Sequence, residues 1–172
     1  MVNAYFAGVI AGLNNLDMPA LGRLRGIVRD TRTASGIVWL CGNGGSFATA
    51  QHWACDLVKV ANVRAVVLGS NVALLSAVAN DEAYTAVFAQ ELQSAGRAKD
   101  CLIVLSCSGT SPNIRSVIGV AKELHIPSVL LTGTVNGDVV PADHIVRVWS
   151  SEYGVIEDCH TTIGHWLTKE MA

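Results

Sequence analysis

The chain has 172 residues, 51% of them hydrophobic and only 15% charged, with a net charge of −2. That length suits a single domain with a substantial core. The near-neutral charge gives no electrostatic case for nucleic acid or an anionic membrane surface, and no apolar run reaches the roughly 18 residues that would cross a bilayer.

Residues 2–16 and 18–33 read as two helices meeting near Asp17-Met18-Pro19, with Pro19 in the first turn of the second. Leu21, Leu24, Ile27 and Val28 recur at helical spacing, which predicts a packing or self-association hairpin. No Lys or Arg precedes the apolar stretch 4–13, so a signal peptide is not expected.

Ile37-Val38-Trp39-Leu40-Cys41 follows as a solid apolar run suited to a central parallel strand. Gly42-Asn43-Gly44-Gly45 then allows a tight turn in which backbone can approach a ligand. Ser46 is the expected N-cap of the next helix, whose first-turn N–H groups attract an anion. That helix carries His52 and Asp56, four residues apart and therefore on one face. No Walker lysine follows the turn, and Phe47 interrupts the dinucleotide glycine spacing, so no nucleotide cofactor is expected.

A second strand is predicted over 64–68, a turn at Gly69-Ser70-Asn71, and a short helix over 72–79. Asn80-Asp81 is expected to break that helix and cap another over 82–95. Asp100-Cys101-Leu102-Ile103-Val104-Leu105 reads as a third buried strand. It runs into Ser106-Cys107-Ser108-Gly109-Thr110-Ser111-Pro112, a hydroxyl-rich turn with Ser111 as N-cap and Pro112 at the first helical position, the makings of a second anion cradle. A helix over 113–124, a strand over 128–132, a loop over 133–137 and a strand over 144–149 follow. The last element, a helix over about 155–171, carries Glu157, Asp158, His160 and His165, each by default a surface or satisfied core residue. The five cysteines (Cys41, Cys55, Cys101, Cys107, Cys159) are odd in number and form no Cys-x-x-Cys pair. They are expected to be free, mostly buried thiols in a reducing cytoplasm.

Alternating strands and helices predict a doubly wound α/β fold, a parallel five-stranded sheet with a front helical hairpin and a long final helix, over 1–172 as one domain. Ligands on such sheets bind outside the carboxyl ends of strands at a switch point, and both glycine or hydroxyl turns lie at such ends. The residues themselves therefore point to a phosphorylated small molecule held by amides and hydroxyls.

Several stretches together resemble sugar-isomerase (SIS) domains, and among them the phosphoheptose isomerases. These are Cys41-Gly42-Asn43-Gly44-Gly45-Ser46, Ala50-Gln51-His52-Trp53-Ala54, Ala79-Asn80-Asp81, Ser106-Cys107-Ser108-Gly109-Thr110-Ser111-Pro112-Asn113, and Glu157-Asp158-Cys159-His160 with His165. The resemblance implies a flavodoxin-like sheet and phosphate held by Ser106, Ser108 and Ser111, with Cys107 where a Thr is usual. It implies a sugar lined by Asn43, Gly44, Gly45, Ser46, Asn80 and Asp81. Asp56 stands where the family has Glu, and Glu157 where it has Gln. Gly154-Val155 replace a usual basic residue. In some members the positions of His52, Asp56, Glu157 and His165 bind zinc, and two imidazoles with two carboxylates suit such an ion.

The resemblance also implies a homo-oligomer, a tetramer, with sites shared between subunits. The activity implied is conversion of sedoheptulose 7-phosphate to the heptose 7-phosphate through an enediol, with Asp56 and His165 as the acid/base pair. The competing expectations are an isomerase for another sugar phosphate and a non-catalytic sugar-phosphate-binding or scaffold protein.

Overall fold

The structure is a computed structural model describing residues 3–134 and 138–172, so the expected loop over 133–137 lies partly outside the described residues. The front hairpin is α1 (Ala4–Asn14) and α2 (Met18–Thr33). The sheet contains β1 (Val38–Gly42), β2 (Ala65–Val67), β3 (Cys101–Leu105), β4 (Ser128–Thr132) and β5 (His144–Arg147). Between them run α3 (Gly45–Lys59), α4 (Val72–Asp81), a 3-10 turn at Tyr84–Ala86, α5 (Ala89–Ala95) and α6 (Pro112–Glu123). The chain closes with α7 (Tyr153–Met171).

All strand pairings are parallel, in the order β2-β1-β3-β4-β5. The chain moves outward from β1 to β2, then returns to place β3 on the other side of β1. That reversal opens a crevice between the ends of β1 and β3, where ligands of doubly wound sheets sit.

The strand sequences explain the two-layered core. Val38 and Leu40, Ile103 and Leu105, Val129 and Leu131 face one layer, built with Leu24 and Val28 of α2, Leu57 of α3 and Ile163 and Leu167 of α7. The intervening Trp39, Cys41, Leu102, Val104 and Leu130 face the other, with Leu92 of α5 and Ile114 and Val117 of α6. Period-2 alternation sends neighbouring side chains to opposite faces, and both faces are covered. Asp100 latches the entry edge: Oδ1 accepts from the Ile37 amide at 2.9 Å, and Oδ2 from the Trp39 indole at 2.9 Å and the Arg97 amide at 2.9 Å. These bonds satisfy a carboxylate that is only 2% exposed.

Three local expectations are corrected. Ser46 is not the N-cap of α3: the helix starts at Gly45, with Gly44 capping at φ +55°, ψ −122°. The chain leaves β1 so sharply that a left-handed residue is needed, and glycine supplies it without a Cβ clash. Ser46 then falls inside the first turn and is buried. Asn80 and Asp81 do not break α4 but form its last two residues, and the expected helix over 82–95 is replaced by the 3-10 turn and the short α5. The second strand is shorter than expected, because the chain turns at Gly69, whose φ is +86°.

The five cysteines are free, and all but Cys55 are buried. Burial raises the Cys101 thiol to about 12 and Cys159 to about 11, and drives Cys41 higher still. They are neutral packing groups.

Candidate active site

Helices α3 and α7 lie side by side and run in the same direction, joined by three successive rungs. The Glu157 carboxylate sits against Gly45, where a Cβ would collide with it. Thr49 Oγ1 lies 3.4 Å from Thr161 Oγ1. His52 Nε2 lies 2.9 Å from His165 Nε2. The close approach depends on Gly164, whose Cα abuts the buried Trp53 indole; Trp53 Nε1 in turn donates to His160 O at 3.1 Å.

The last rung is the chemical centre. Asp56 Oδ2 is 3.5 Å from His52 Nε2 and 3.8 Å from His165 Nε2, all within one chain. The two imidazoles meet edge to face, with centroids 5.1 Å apart. Asp56 is 23% exposed and the two imidazoles about half exposed, so the group opens to solvent. These donors lie within 4.8 Å of one another. Tetrahedral zinc ligands about 2.0–2.1 Å from the metal are about 3.3 Å apart, and the three spacings bracket that value. The three donor atoms are therefore close enough together to hold a zinc-class ion.

Glu157, expected as a fourth ligand, is not part of this cluster. Two turns upstream on α7, it lines a cavity of about 140 Å³ with Asn43, Ser46, Ser106, Cys107, Ser108, Ser111 and Tyr153. The crevice between β1 and β3 opens here. Ser106 Oγ accepts from the Gly109 amide at 3.1 Å, and Ser108 Oγ from the Thr110 amide at 3.3 Å. Both hydroxyl protons remain available to an anionic oxygen. Ser111 occupies the N-cap position of α6 without a side-chain capping bond, and Pro112 follows it as expected. Gly109 has φ +64°, and a Cβ there would meet Thr132 Oγ1.

Cys107 Sγ is 3.9 Å from Tyr153 O and 4.0 Å from Ser46 Oγ. Desolvation, then the Glu157 charge, raises this thiol to about 11, keeping it neutral beside the hydroxyls. The first turn of α3 offers fewer free amides than the sequence predicts: Ser46 N donates to Asn43 O at 3.0 Å and Phe47 N to Gly44 O at 3.1 Å.

Asn43 forms the wall between this cavity and a more apolar one of about 280 Å³, which Gly44, Phe47, Tyr84 and Phe88 help to line. Its Oδ1 accepts from Asn113 Nδ2 at 2.8 Å and Tyr84 OH at 3.1 Å, while its Nδ2 donates to Asn113 Oδ1 at 3.1 Å. Tyr84, Asn113 and Tyr153 were not among the expected site residues. Asn113 had a signal in its place directly after Ser111-Pro112; Tyr84 had none, since only the tertiary fold brings it to Asn43. Asn80 and Asp81 are exposed, bonded to each other at 2.7 Å, and line neither cavity.

The family model described as SIS domain matches residues 4–133. A phosphoheptose isomerase from Maridesulfovibrio salexigens is 36% identical over 134 residues, 74% of this chain and 65% of that protein. A phosphoheptose isomerase from Rhodospirillum rubrum is 35% identical over 87% of this chain and 82% of that protein. The structure of a phosphoheptose isomerase from Neisseria gonorrhoeae superposes with a TM-score of 0.90 at 26% identity, covering 98% of this chain and 96% of that one. This chain belongs to the SIS-domain family and, within it, to the phosphoheptose isomerases.

Proposed function

We propose that the protein is an aldose–ketose isomerase that interconverts sedoheptulose 7-phosphate and the corresponding aldoheptose 7-phosphate. The observation that carries this reading is the meeting of Asp56 with His52 and His165 on the same helix pair that leads to the serine turn. Glu157 and His165 are eight residues apart, about 12 Å along α7. A seven-carbon chain ending in a phosphate extends about 10 Å, so one substrate can reach from the turn towards the cluster.

Ser106, Ser108 and Ser111 anchor the phosphate by hydroxyl donation, and Asn43 orients the adjoining hydroxyls. Anchoring the unreactive end helps align the reacting carbons. Asp56 removes the proton from the carbon beside the carbonyl, and His165 protonates the carbonyl oxygen. The resulting enediol is then protonated on the former carbonyl carbon, while the hydroxyl on the carbon first deprotonated gives up its proton to become the new carbonyl. A zinc-class ion held by His52 and one Asp56 oxygen would supply polarisation of the carbonyl, leaving the second Asp56 oxygen and the His165 imidazole for the proton transfers.

The test is incubation with sedoheptulose 7-phosphate before and after chelation, with products followed by NMR. Turnover is expected to fall on chelation and return on adding zinc. Failure of the metal-replete protein to form aldoheptose phosphate overturns the activity. Undiminished turnover after chelation removes the metal while leaving the acid/base pair.

The same reading includes a homo-oligomer, a tetramer by the family resemblance. In its support, α1 leaves Phe6 61%, Ile10 52% and Tyr5 44% exposed, an apolar surface of the kind subunit contacts bury. Sedimentation is expected to give a tetramer; a monomer at micromolar concentration would refute it. No described helix is long and apolar enough to cross a membrane.

A further inference from the structure

The opposite end of the sheet has a cavity of about 410 Å³, lined by Arg32, Ser35, Gly36, Asn62 and Arg64. It lies where the α2–β1 and α3–β2 connections enter their strands, whereas the serine turn follows the far end of β3. No acidic side chain lines it.

Both arginines are fixed by backbone carbonyls. Arg32 Nη1 donates to Met171 O at 2.6 Å and Ala61 O at 3.2 Å, and Arg64 Nη1 donates to Ser35 O at 2.9 Å. Carboxylates instead pair with Arg23, Arg25 and Arg29. Among the described residues, none forms an ion pair with Arg32 or Arg64. Asp100, near the Gly36 connection, is already held by the Ile37 and Arg97 amides and the Trp39 indole.

Two uncompensated guanidinium groups on a shared concavity, each anchored through one nitrogen, leave the rest of each planar fork for a ligand. That arrangement suits tetrahedral oxyanions, which accept paired donors from Arg. Ser35 and Asn62 add a hydroxyl and an amide. Both hold left-handed backbones, φ +54° and +49°, an uncommon conformation for residues with a side chain. The volume falls within the range of small-molecule sites and exceeds that of the serine-turn cavity.

We propose that Arg32 and Arg64, with Ser35 and Asn62, form a second anion site for a phosphate group, separate from the cavity beside Ser106, Ser108 and Ser111. The phosphate can come from free inorganic phosphate or a phosphorylated sugar. The site depends on neither the isomerase activity nor a metal.

The test is titration of the intact protein, at low ionic strength, with inorganic phosphate and in a separate arm with sedoheptulose 7-phosphate. Amide shifts are followed at Ser35, Gly36 and Asn62 and, separately, at Ser106–Ser111. A saturable change at the first group is expected, weakening with added salt as exposed charge interactions do. Arg64→Met is expected to weaken binding there by about tenfold or more, the weight of one charge-assisted hydrogen bond, while the serine-turn response is unchanged. Arg32→Lys provides a second variant that keeps the charge but loses the fork, and is expected to weaken binding less than Arg64→Met. Saturation with phosphate alone identifies the free ion as sufficient, and saturation only with the sugar phosphate assigns the larger ligand. No saturable change with either ligand, equal changes with chloride, or an unchanged response in both variants overturns the proposal.

Discussion

Asp56→Asn is expected to lower kcat for sedoheptulose 7-phosphate by about a thousandfold, within the usual span for a lost general base, while KM shifts only a few fold. The amide keeps the carboxylate's shape but cannot accept the carbon-bound proton. The serine turn proposed to anchor the phosphate lies some two helical turns away and is untouched. His165→Ala is expected to fall by a similar factor, because the proposed mechanism takes the other proton from this imidazole, whose Nε2 lies 3.8 Å from Asp56 Oδ2. The double variant should be scarcely worse than either single one, since residues acting in one step are not additive in their loss. Steady-state kinetics, with circular dichroism to establish folding, checks all three. Near-wild-type kcat in both single variants would remove Asp56 and His165 from the chemistry. A large KM rise with unchanged kcat would make them binding residues.

Much of this site was legible because its parts are local. His52 and Asp56 share a helical face at a spacing of four, and Ser106–Ser111 is a contiguous turn at the end of a buried strand. Long-range pairing is a different matter. That His165 meets Asp56 depends on α7 running parallel to α3 in one register, and that register depends on Gly164 against Trp53 and Gly45 against Glu157. No period in the sequence carries this information. Glu157 shows the consequence: matched by resemblance to a metal-binding position, its carboxylate faces Gly45 and the serine-turn cavity instead. The N-terminus of α3 failed for a local reason. The preference for serine caps gave way to the sharp exit from β1, which only Gly44 can make.

The histidines of α7 show a signal that was present but outweighed. Ile156, His160, Ile163 and Leu167 follow at spacings of four, three and four, an apolar stripe with an imidazole in it, and all four are buried. His165 is five residues beyond His160, about 140° around the helix, and faces α3. Composition treats the two alike, whereas helical phase makes one a candidate acid/base and the other a core residue. The satisfied core role expected by default does not hold for His160. It is 1% exposed, and neither ring nitrogen has a hydrogen-bond partner among the described residues.

That isolation makes His160 the expected source of a steep loss of stability in acid. Desolvation lowers its pKa from 6.5 to about 3. Between those values the unfolded chain binds a proton that the folded chain refuses, so stability falls as pH drops through 6.5 and continues to fall until about 3. At 1.36 kcal/mol per unit, the penalty is about 2 kcal/mol near pH 5 and on the order of 4 kcal/mol at the lower limit, a large share of a typical domain's stability. His160→Leu, of similar volume, removes the titrating group and the two unpartnered nitrogens. It should leave stability at pH 8 equal or higher, because replacing an unpaired buried polar group by an apolar one recovers its desolvation cost. Below pH 6 the variant should lose stability more slowly than the wild type. Urea unfolding of both proteins across pH 4–8 measures the difference directly, since the remaining titrating groups are common to both. Parallel pH profiles would show that the imidazole is protonated, or finds a partner, in the folded state. A variant much less stable at pH 8 would show that the ring makes bonds absent from this arrangement.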